Sequence, residues 1–341
     1  MTDLVVGGGA VGTLLAWALA AGGRDVAIVR RRLEGPSRRA RITVVDPDGR
    51  RAYASVTEVG RPSDLEAAPE LIVFAVKMFD LAAAVESCDG WPSAAALTVS
   101  NGIGAEEIVG RRRGAGLIAG SVTAAVEMSD DGAVTRLNRG GIGLAPVKGE
   151  VEPLVVALAE AFVAAGLRVA RCGDPAAMKW SKLVGNLLGN ATSAILDLSP
   201  GEVYEDAGAY RLERRQLLEA FAVMRVLGLS PVALPGMDVR LLRLGLRLPD
   251  RIGRPVIRKA IAGARGRKDP SLRVHATSGT GPSEVAWLNG AVDVAAKQLG
   301  RGAPVNRRLA ELVGEALVDP ERKAWFRGRP DRLVADVERP F

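Results

Sequence analysis

Lys182, Asn186 and Asn190 recur at four-residue intervals in a stretch that is otherwise mostly apolar. On an α-helix each such step drifts only about 40° around the axis, so the three side chains form one polar line. Ser193 falls back beside Lys182 if the helix runs that far. Leu183, Val184, Leu187, Leu188, Ala191 and Ile195 cover the other sides. A helix apolar on most of its surface must supply partners for such a line, because an unpaired buried ammonium or amide is costly. Those partners are another helix, ordered water or a ligand. A ligand is favoured here because a nucleotide site announces itself at the start of the chain.

That site is Gly7-Gly8-Gly9-Ala10-Val11-Gly12, placed directly after the apolar run Leu4-Val5-Val6. Gly7, Gly9 and Gly12 fit G-x-G-x-x-G between a strand and an apolar helix, and Gly22-Gly23 and a second strand follow. The first glycine permits a tight turn, the second lets a pyrophosphate approach the backbone, and the third lets helix and strand pack closely. The amides at Ala10 and Val11 open the helix whose N-terminus faces the phosphate. The second strand runs into Arg30-Arg31-Arg32, with no acid until Glu34. A carboxylate there holds the ribose hydroxyls of NAD, whereas a guanidinium accommodates a 2′-phosphate. The expected cofactor is therefore NADP(H), with Arg31 as the phosphate clamp and Arg32 and one neighbour as solvated loop residues.

These groups need elements to position them, and the sequence supplies an α/β pattern. Short strands at 42–45 and 52–56 flank the Asp46-Pro47-Asp48-Gly49 turn and read as a hairpin. Apolar strands at 71–76 and 96–100 end in Lys77 and in Asn101-Gly102-Ile103-Gly104. In open α/β sheets ligands bind beyond the carboxyl ends of strands, which puts Lys77 and Asn101 in functional positions. Asn101 could equally cap the next helix. A strand at 116–121, a hairpin over 133–144, a helix over 151–165 and an edge strand at 167–171 complete the pattern. The expected fold is an N-terminal Rossmann-type, doubly wound, mostly parallel sheet over 1–174, with an all-α domain over 175–341. In the latter, helical periodicity is clearest at 212–226, 285–299 and 305–318. Residues 238–268 are arginine-rich and lack aromatics for base stacking, so they read as the solvated face of amphipathic helices and not as a nucleic-acid arm.

A length of 341 residues favours two domains. Hydrophobic residues at 48% and charged residues at 25% are ordinary for a globular protein, and the net charge of +7 suits phosphate ligands as well as nucleic acid or membranes. Cys88 and Cys172 form no paired motif and read as inert buried thiols, so neither a disulfide framework nor a metal site is expected. His275 is the single histidine, which argues against a Ser–His–Asp triad. No signal peptide or transmembrane run is recognisable, and a cytoplasmic protein is expected. The oligomeric state is left open, a homodimer among the options.

With these residues in view, the chain resembles the ketopantoate reductase family over nearly its whole length. The resemblance is carried by Gly7-x-Gly9-x-x-Gly12, Arg31, Val76-Lys77, Ser100-Asn101-Gly102-x-Gly104 and Lys182-Leu183-x-x-Asn186-x-x-x-Asn190. It extends to Ser283-Glu284-x-x-x-Leu288-Asn289-Gly290 and Ala303-Pro304-Val305-Asn306. It implies NADPH-dependent reduction of 2-dehydropantoate to (R)-pantoate, on the route to pantothenate and coenzyme A. Lys182 would be the general acid, a role suited to an ammonium that donates a proton and stabilises charge developing on oxygen. Asn186 and Asn190 would orient the substrate, and Asn101 would sit between cofactor and substrate. Glu284 would bind the substrate hydroxyl and Ser271 its carboxylate. By sequence alone Glu284 could instead favour a helix N-terminus, and Lys179 reads as solvated or phosphate-facing.

The chain departs from the family where Leu272-Arg273-Val274-His275 replaces Met-Leu-Gln-Asp, and where Val285-Ala286-Trp287 replaces Ile-Asp-Tyr. Reduction of another 2-oxo acid is therefore the alternative expectation. A non-catalytic NADP-binding protein is a further one, disfavoured by the intact lysine–asparagine line.

Overall fold

The computed structural model describes residues 2–265, 270–278 and 281–339. They form two compact units, Met1–Lys179 with Leu234–Met237, and Trp180–Ala233 with Asp238–Phe341. The division thus falls inside a helix five residues beyond the expected boundary at Asp174, and a short later segment returns to the first unit.

The N-terminal unit runs β1 (Thr2–Val6), α1 (Ala10–Ala21), β2 (Asp25–Val29), β3 (Arg38–Val45), β4 (Arg51–Val59), β5 (Leu71–Phe74) and α2 (Met78–Glu86). It continues β6 (Ala95–Thr98), α3 (Ala105–Arg112), β7 (Leu117–Val122), β8 (Val126–Met128), β9 (Val134–Arg136), β10 (Gly141–Lys148), α4 (Glu152–Ala164) and β11 (Arg168–Arg171). All eleven strands join one sheet in the order β11-β10-β7-β6-β5-β1-β2-β4-β3-β9-β8. Parallel pairs dominate, and β3–β4, β7–β10 and β8–β9 are antiparallel. The central strands are apolar on the face that α1 and α4 cover: Leu14, Leu15, Trp17 and Leu19 of α1 and Phe162 of α4 are buried against Val5, Ile28, Val73 and Leu97.

The β3–β4 hairpin turns at Asp46–Gly49 as its sequence demands, with Gly49 at φ 80°. The segment 133–144 is not a hairpin. β9 pairs with β3 and β8, whereas β10 pairs with β7 and β11 at the other side of the sheet. This arrangement requires the sheet to curl. A flat sheet would hold β7 and β8 eight strand spacings apart, roughly 38 Å at ~4.8 Å each. The steps from Val122 to Val126 reach at most about 14 Å. The curl brings β8 and β9 onto α1 as well.

The helix α5 (Pro175–Leu187) opens the second region, followed by α6 (Ala191–Leu196), α7 (Pro200–Glu205) and α8 (Ala207–Val226). A two-residue ribbon, β12 (Ala233–Leu234) with β13 (Met237–Asp238), interrupts the helices where no strand was expected. Then come α9 (Val239–Gly245), α10 (Asp250–Arg265), α11 (Ser271–Ser278), a 3-10 turn (Glu284–Trp287), α12 (Asn289–Gln298), α13 (Pro304–Val318), α14 (Pro320–Phe326) and α15 (Pro330–Val337). On α9 and α10 the solvated face is not purely basic, because Leu241, Leu244, Ile252 and Val256 are exposed among the arginines. Residues 266–268 of the arginine-rich stretch lie outside the described residues. Among the described residues no helix is long and apolar enough to cross a membrane, and no cluster of His, Cys, Asp and Glu is placed to hold a metal ion.

Candidate active site

The glycine turn is built by close contact. Gly7 sits at φ 125°, and a Cβ on Gly12 would lie 1.8 Å from the Gly7 carbonyl oxygen. Only glycine fits either position. Gly9 differs: its backbone is extended, and a Cβ built there meets nothing within 4 Å. The protein itself makes no demand for glycine at this point, so the open space is what a close-approaching diphosphate requires. The first turn of α1 beyond it carries no acid and no side-chain cap. These features fit a dinucleotide.

The three arginines after β2 behave differently from one another. Arg30 turns inward, its Nη1 donating to the Gly8 oxygen (2.6 Å) and to Thr13 Oγ1 (2.9 Å), its Nε to Glu58 Oε1 (3.1 Å). It braces the turn from beneath. The Arg31 side chain is 84% exposed, with Asp80 3.8 Å away.

β1 lies between β2 and β5, and β5 beside β6, all parallel, so the strand order reverses at β1. The carboxyl ends of β1, β5 and β6 therefore emerge side by side, bringing together the glycine turn, Lys77 and Asn101. Lys77 is exposed at the N-cap of α2. Asn101 is half-buried and does not cap α3, since Gly104, at φ 106°, holds that place. Ser100 Oγ donates to the Val76 oxygen (2.7 Å) and ties the two loops. Lys179 is neither solvated nor phosphate-facing. It is buried, with its Nζ donating to the Ser100 oxygen (2.8 Å) and 3.2 Å from Glu106 Oε1.

In the C-terminal unit Lys182 and Asn186 share a half-buried face of α5. The polar line stops there, because α5 ends at Leu187 and Gly189 adopts φ 56°. Asn190 instead begins α6, buried, with its Oδ1 accepting from the Leu272 N–H (3.1 Å). Ser193 does not continue the line; it is wholly buried in α6, and its hydroxyl has no hydrogen-bond partner among the described residues.

The break has a cause remote in sequence. Glu213 of α8 is 0% exposed, and its carboxylate accepts from the Gly189 N–H (2.8 Å), Thr192 Oγ1 (2.7 Å), Tyr204 OH (2.7 Å) and Gln216 Nε2 (2.7 Å). Burial pushes its pKa up, and these four bonds pull against that rise. Gln216 passes the network to Asn289 (2.8 Å), which bonds Asn306 (3.0 Å). The family-type asparagines of α12 and α13 are thus core connectors. Sequence reasoning missed Glu213 and Gln216. The signal was there: both fall on the stripe Ala209, Leu212, Leu217, Ala220 that faces the core.

Glu284 is buried at the start of the 3-10 turn, behind Ser283, whose Oγ accepts from the Val285 N–H (3.2 Å). Ser271 is exposed at the start of α11, next to the Leu272 amide that bonds Asn190. Arg273 donates to Asp197 Oδ1 (3.3 Å), a carboxylate that also meets Arg327 (3.1 Å). His275 Nε2 lies 3.1 Å from the Gly281 oxygen. Cys88 is buried and Cys172 half-buried; burial raises both thiols' pKa, which keeps them protonated and inert.

A strand, a glycine turn braced for a diphosphate and a strand-order reversal define a dinucleotide-binding domain of the kind that serves nicotinamide oxidoreductases. Residues 4–149 match the family described as Ketopantoate reductase PanE/ApbA, and residues 174–316 match Ketopantoate reductase PanE/ApbA C terminal. The chain belongs to the ketopantoate reductase family, and is thereby an oxidoreductase. A 2-dehydropantoate 2-reductase of Halobacterium salinarum is 27% identical over 327 residues, covering 92% of this chain and 98% of its own. Among solved structures, a PanE/ApbA family ketopantoate reductase from Ralstonia eutropha JMP134 superposes with a TM-score of 0.75 at 24% identity, covering 94% of this chain and 100% of that one. A D-mandelate dehydrogenase in complex with NADH and anilino(oxo)acetate has a TM-score of 0.73 at 18% identity, covering 96% and 99%. These two share the fold.

Proposed function

We propose that the enzyme reduces 2-dehydropantoate to (R)-pantoate with NADPH. The observation that carries this reading is the match of both halves of the chain to one family, alongside a 2-dehydropantoate 2-reductase aligned over 92% of its length. NADPH over NADH is supported by the end of β2. No acid follows Val29 before Glu34, and Arg31 is held by Asp80 only across 3.8 Å in solvent, so it can turn to a 2′-phosphate. Gly7, Gly9, Gly12 and the amides of Ala10 and Val11 would hold the diphosphate, with Lys77 beside them.

When bound, the nicotinamide supplies the hydride that reaches the carbonyl carbon. Lys182 donates the proton that the carbonyl oxygen takes up, and the neutral amine left behind is reprotonated from solvent. Asn186, one turn further on the same face, orients the substrate. Asn190 has its oxygen engaged by Leu272, which leaves its amide N–H groups to donate to a substrate oxygen. Glu284 binds the substrate hydroxyl, Ser271 the carboxylate, and Asn101 borders both cofactor and substrate.

A second reading keeps this chemistry and changes the 2-oxo acid. It is favoured by Arg273, which stands at one of the departures from the family pattern and is built into the unit by its bond to Asp197. Steady-state NADPH oxidation with ketopantoate, ketoisovalerate and phenylglyoxylate separates the two. The highest kcat/KM with ketopantoate supports the first reading; preference for another acid replaces it with the second. Cofactor binding without turnover of any acid removes both.

A further inference from the structure

We infer that Lys179 is a positioning residue for the loop that carries Asn101. The inference rests on the reading above, in which Asn101 borders cofactor and substrate. Lys179 lies one turn before Lys182 on α5, yet its side chain is only 5% exposed. Its Nζ donates to the Ser100 backbone oxygen (2.8 Å) and pairs with Glu106 Oε1 (3.2 Å). The same Glu106 oxygen accepts from Thr98 Oγ1 (2.6 Å), and Ser100 Oγ donates to the Val76 oxygen (2.7 Å). The bonded chain therefore runs from the end of β5 through Ser100 to Lys179, and returns through Glu106 of α3 to the last residue of β6. All its members belong to the N-terminal unit. It brackets both loop residues expected at the cofactor, since Lys77 follows Val76 and Asn101 follows Ser100.

Burying an ammonium is costly, and a well-packed apolar side chain commonly serves stability as well as a buried ion pair does. What the pair supplies that an apolar residue cannot is a fixed carbonyl. The loop needs this from outside, because Gly102 and Gly104 both sit at positive φ (89° and 106°) and leave its backbone few steric constraints of its own. The bond to the Ser100 oxygen is charge-assisted, and so stronger than a neutral hydrogen bond at the same place would be. Lys179 is thereby occupied as a tether.

The test uses the full-length enzyme, with thermal melting and fluorescence titration of whichever nicotinamide coenzyme the wild type binds. Lys179→Met alone strands the Glu106 carboxylate and is expected to lower both Tm and coenzyme affinity. The double variant Lys179→Met/Glu106→Gln removes both charges while keeping an oxygen for Thr98. It is expected to regain most of the lost Tm and still bind coenzyme about ten- to a hundredfold more weakly than wild type, because the Ser100 oxygen stays untethered. Recovery of coenzyme affinity together with Tm would make the pair a structural staple and overturn the inference. If the double variant does not fold, Lys179→Gln decides, since it keeps a donor for Ser100 without the charge. Affinity near wild type upholds the tether, and a loss equal to that of Lys179→Met refutes it. Absence of 2-oxo acid turnover in the wild type would sink the functional reading alone, because the affinity comparison needs no turnover.

Discussion

Replacing Gly9 by alanine asks whether the glycine turn holds a diphosphate, because the fold does not require glycine there. The backbone at Gly9, φ −76° and ψ −179°, is open to any residue, and a Cβ meets no protein atom within 4 Å. Two small effects on stability oppose each other. Alanine is worse than glycine at a helix N-cap by on the order of 0.5–1 kcal/mol. It also loses less chain entropy on folding, worth about 0.4–1 kcal/mol. The net change stays within about 0.5 kcal/mol, a Tm shift of about 1–2 °C.

For the cofactor the same methyl group stands where the pyrophosphate must approach. Losing one charge-assisted contact of about 1.5–3 kcal/mol weakens NADPH binding roughly 10- to 150-fold. Gly12→Ala is the contrasting case. Its Cβ would lie 1.8 Å from the Gly7 oxygen and 3.2 Å from the Ala75 side chain, so turn and helix must part. That overpacking costs at least about 1–3 kcal/mol, and this variant melts well below wild type without any ligand present. Melting curves without cofactor and NADPH titrations of the folded variants provide the assay. A folded Gly9→Ala enzyme that binds NADPH as tightly as wild type would refute the assignment of the turn.

Arg31→Ala is expected to weaken NADPH binding much more than NADH binding, read by titrating both; equal losses would contradict the phosphate clamp. Glu213 gives a pH-dependent prediction. Burial raises its carboxyl pKa above the ordinary 4.5, so the folded state binds the proton more tightly than the unfolded chain. The stability this group contributes is full below its unfolded pKa and is lost as pH rises through the raised folded value. Glutamine has no such loss, so the Tm of Glu213→Gln minus that of wild type should increase from acid toward neutral pH. A difference that is flat, or that falls, would show the carboxyl to be ionised in the fold at no cost.

The opening β1–α1–β2 unit was legible because its determinants are local: Gly7 needs positive φ, Gly12 needs contact, and both lie within one turn of the strand they follow. The placement of Lys77 and Asn101 at strand ends was legible for the same reason. The curl of the sheet was not, because it depends on β9 choosing β3 over β10, a pairing between residues some 90 positions apart, Val44 with Val134. Between β9 and β10, Asn138 Oδ1 accepts from the Ala125 and Gly140 amides.

The polar line on α5 was read correctly as far as Asn186 and too far beyond it. Gly189 marks the break, and the group that holds it there is Glu213, whose burial is legible from the stripe of its own helix but whose partner 24 residues earlier is not. Lys179 was misread for a similar reason. A lysine near a helix start is ordinarily solvated, and only the fold reveals Glu106 and the Ser100 carbonyl waiting for it.

Single-turnover reduction by Lys182→Ala, with NADPH saturating and the preferred 2-oxo acid in excess, tests the central claim most directly. NADPH affinity is expected within about twofold of wild type, with hydride transfer slower by about 10²- to 10⁴-fold, the contribution of a well-placed general acid. Hydride transfer at the wild-type rate in that variant would contradict the claim.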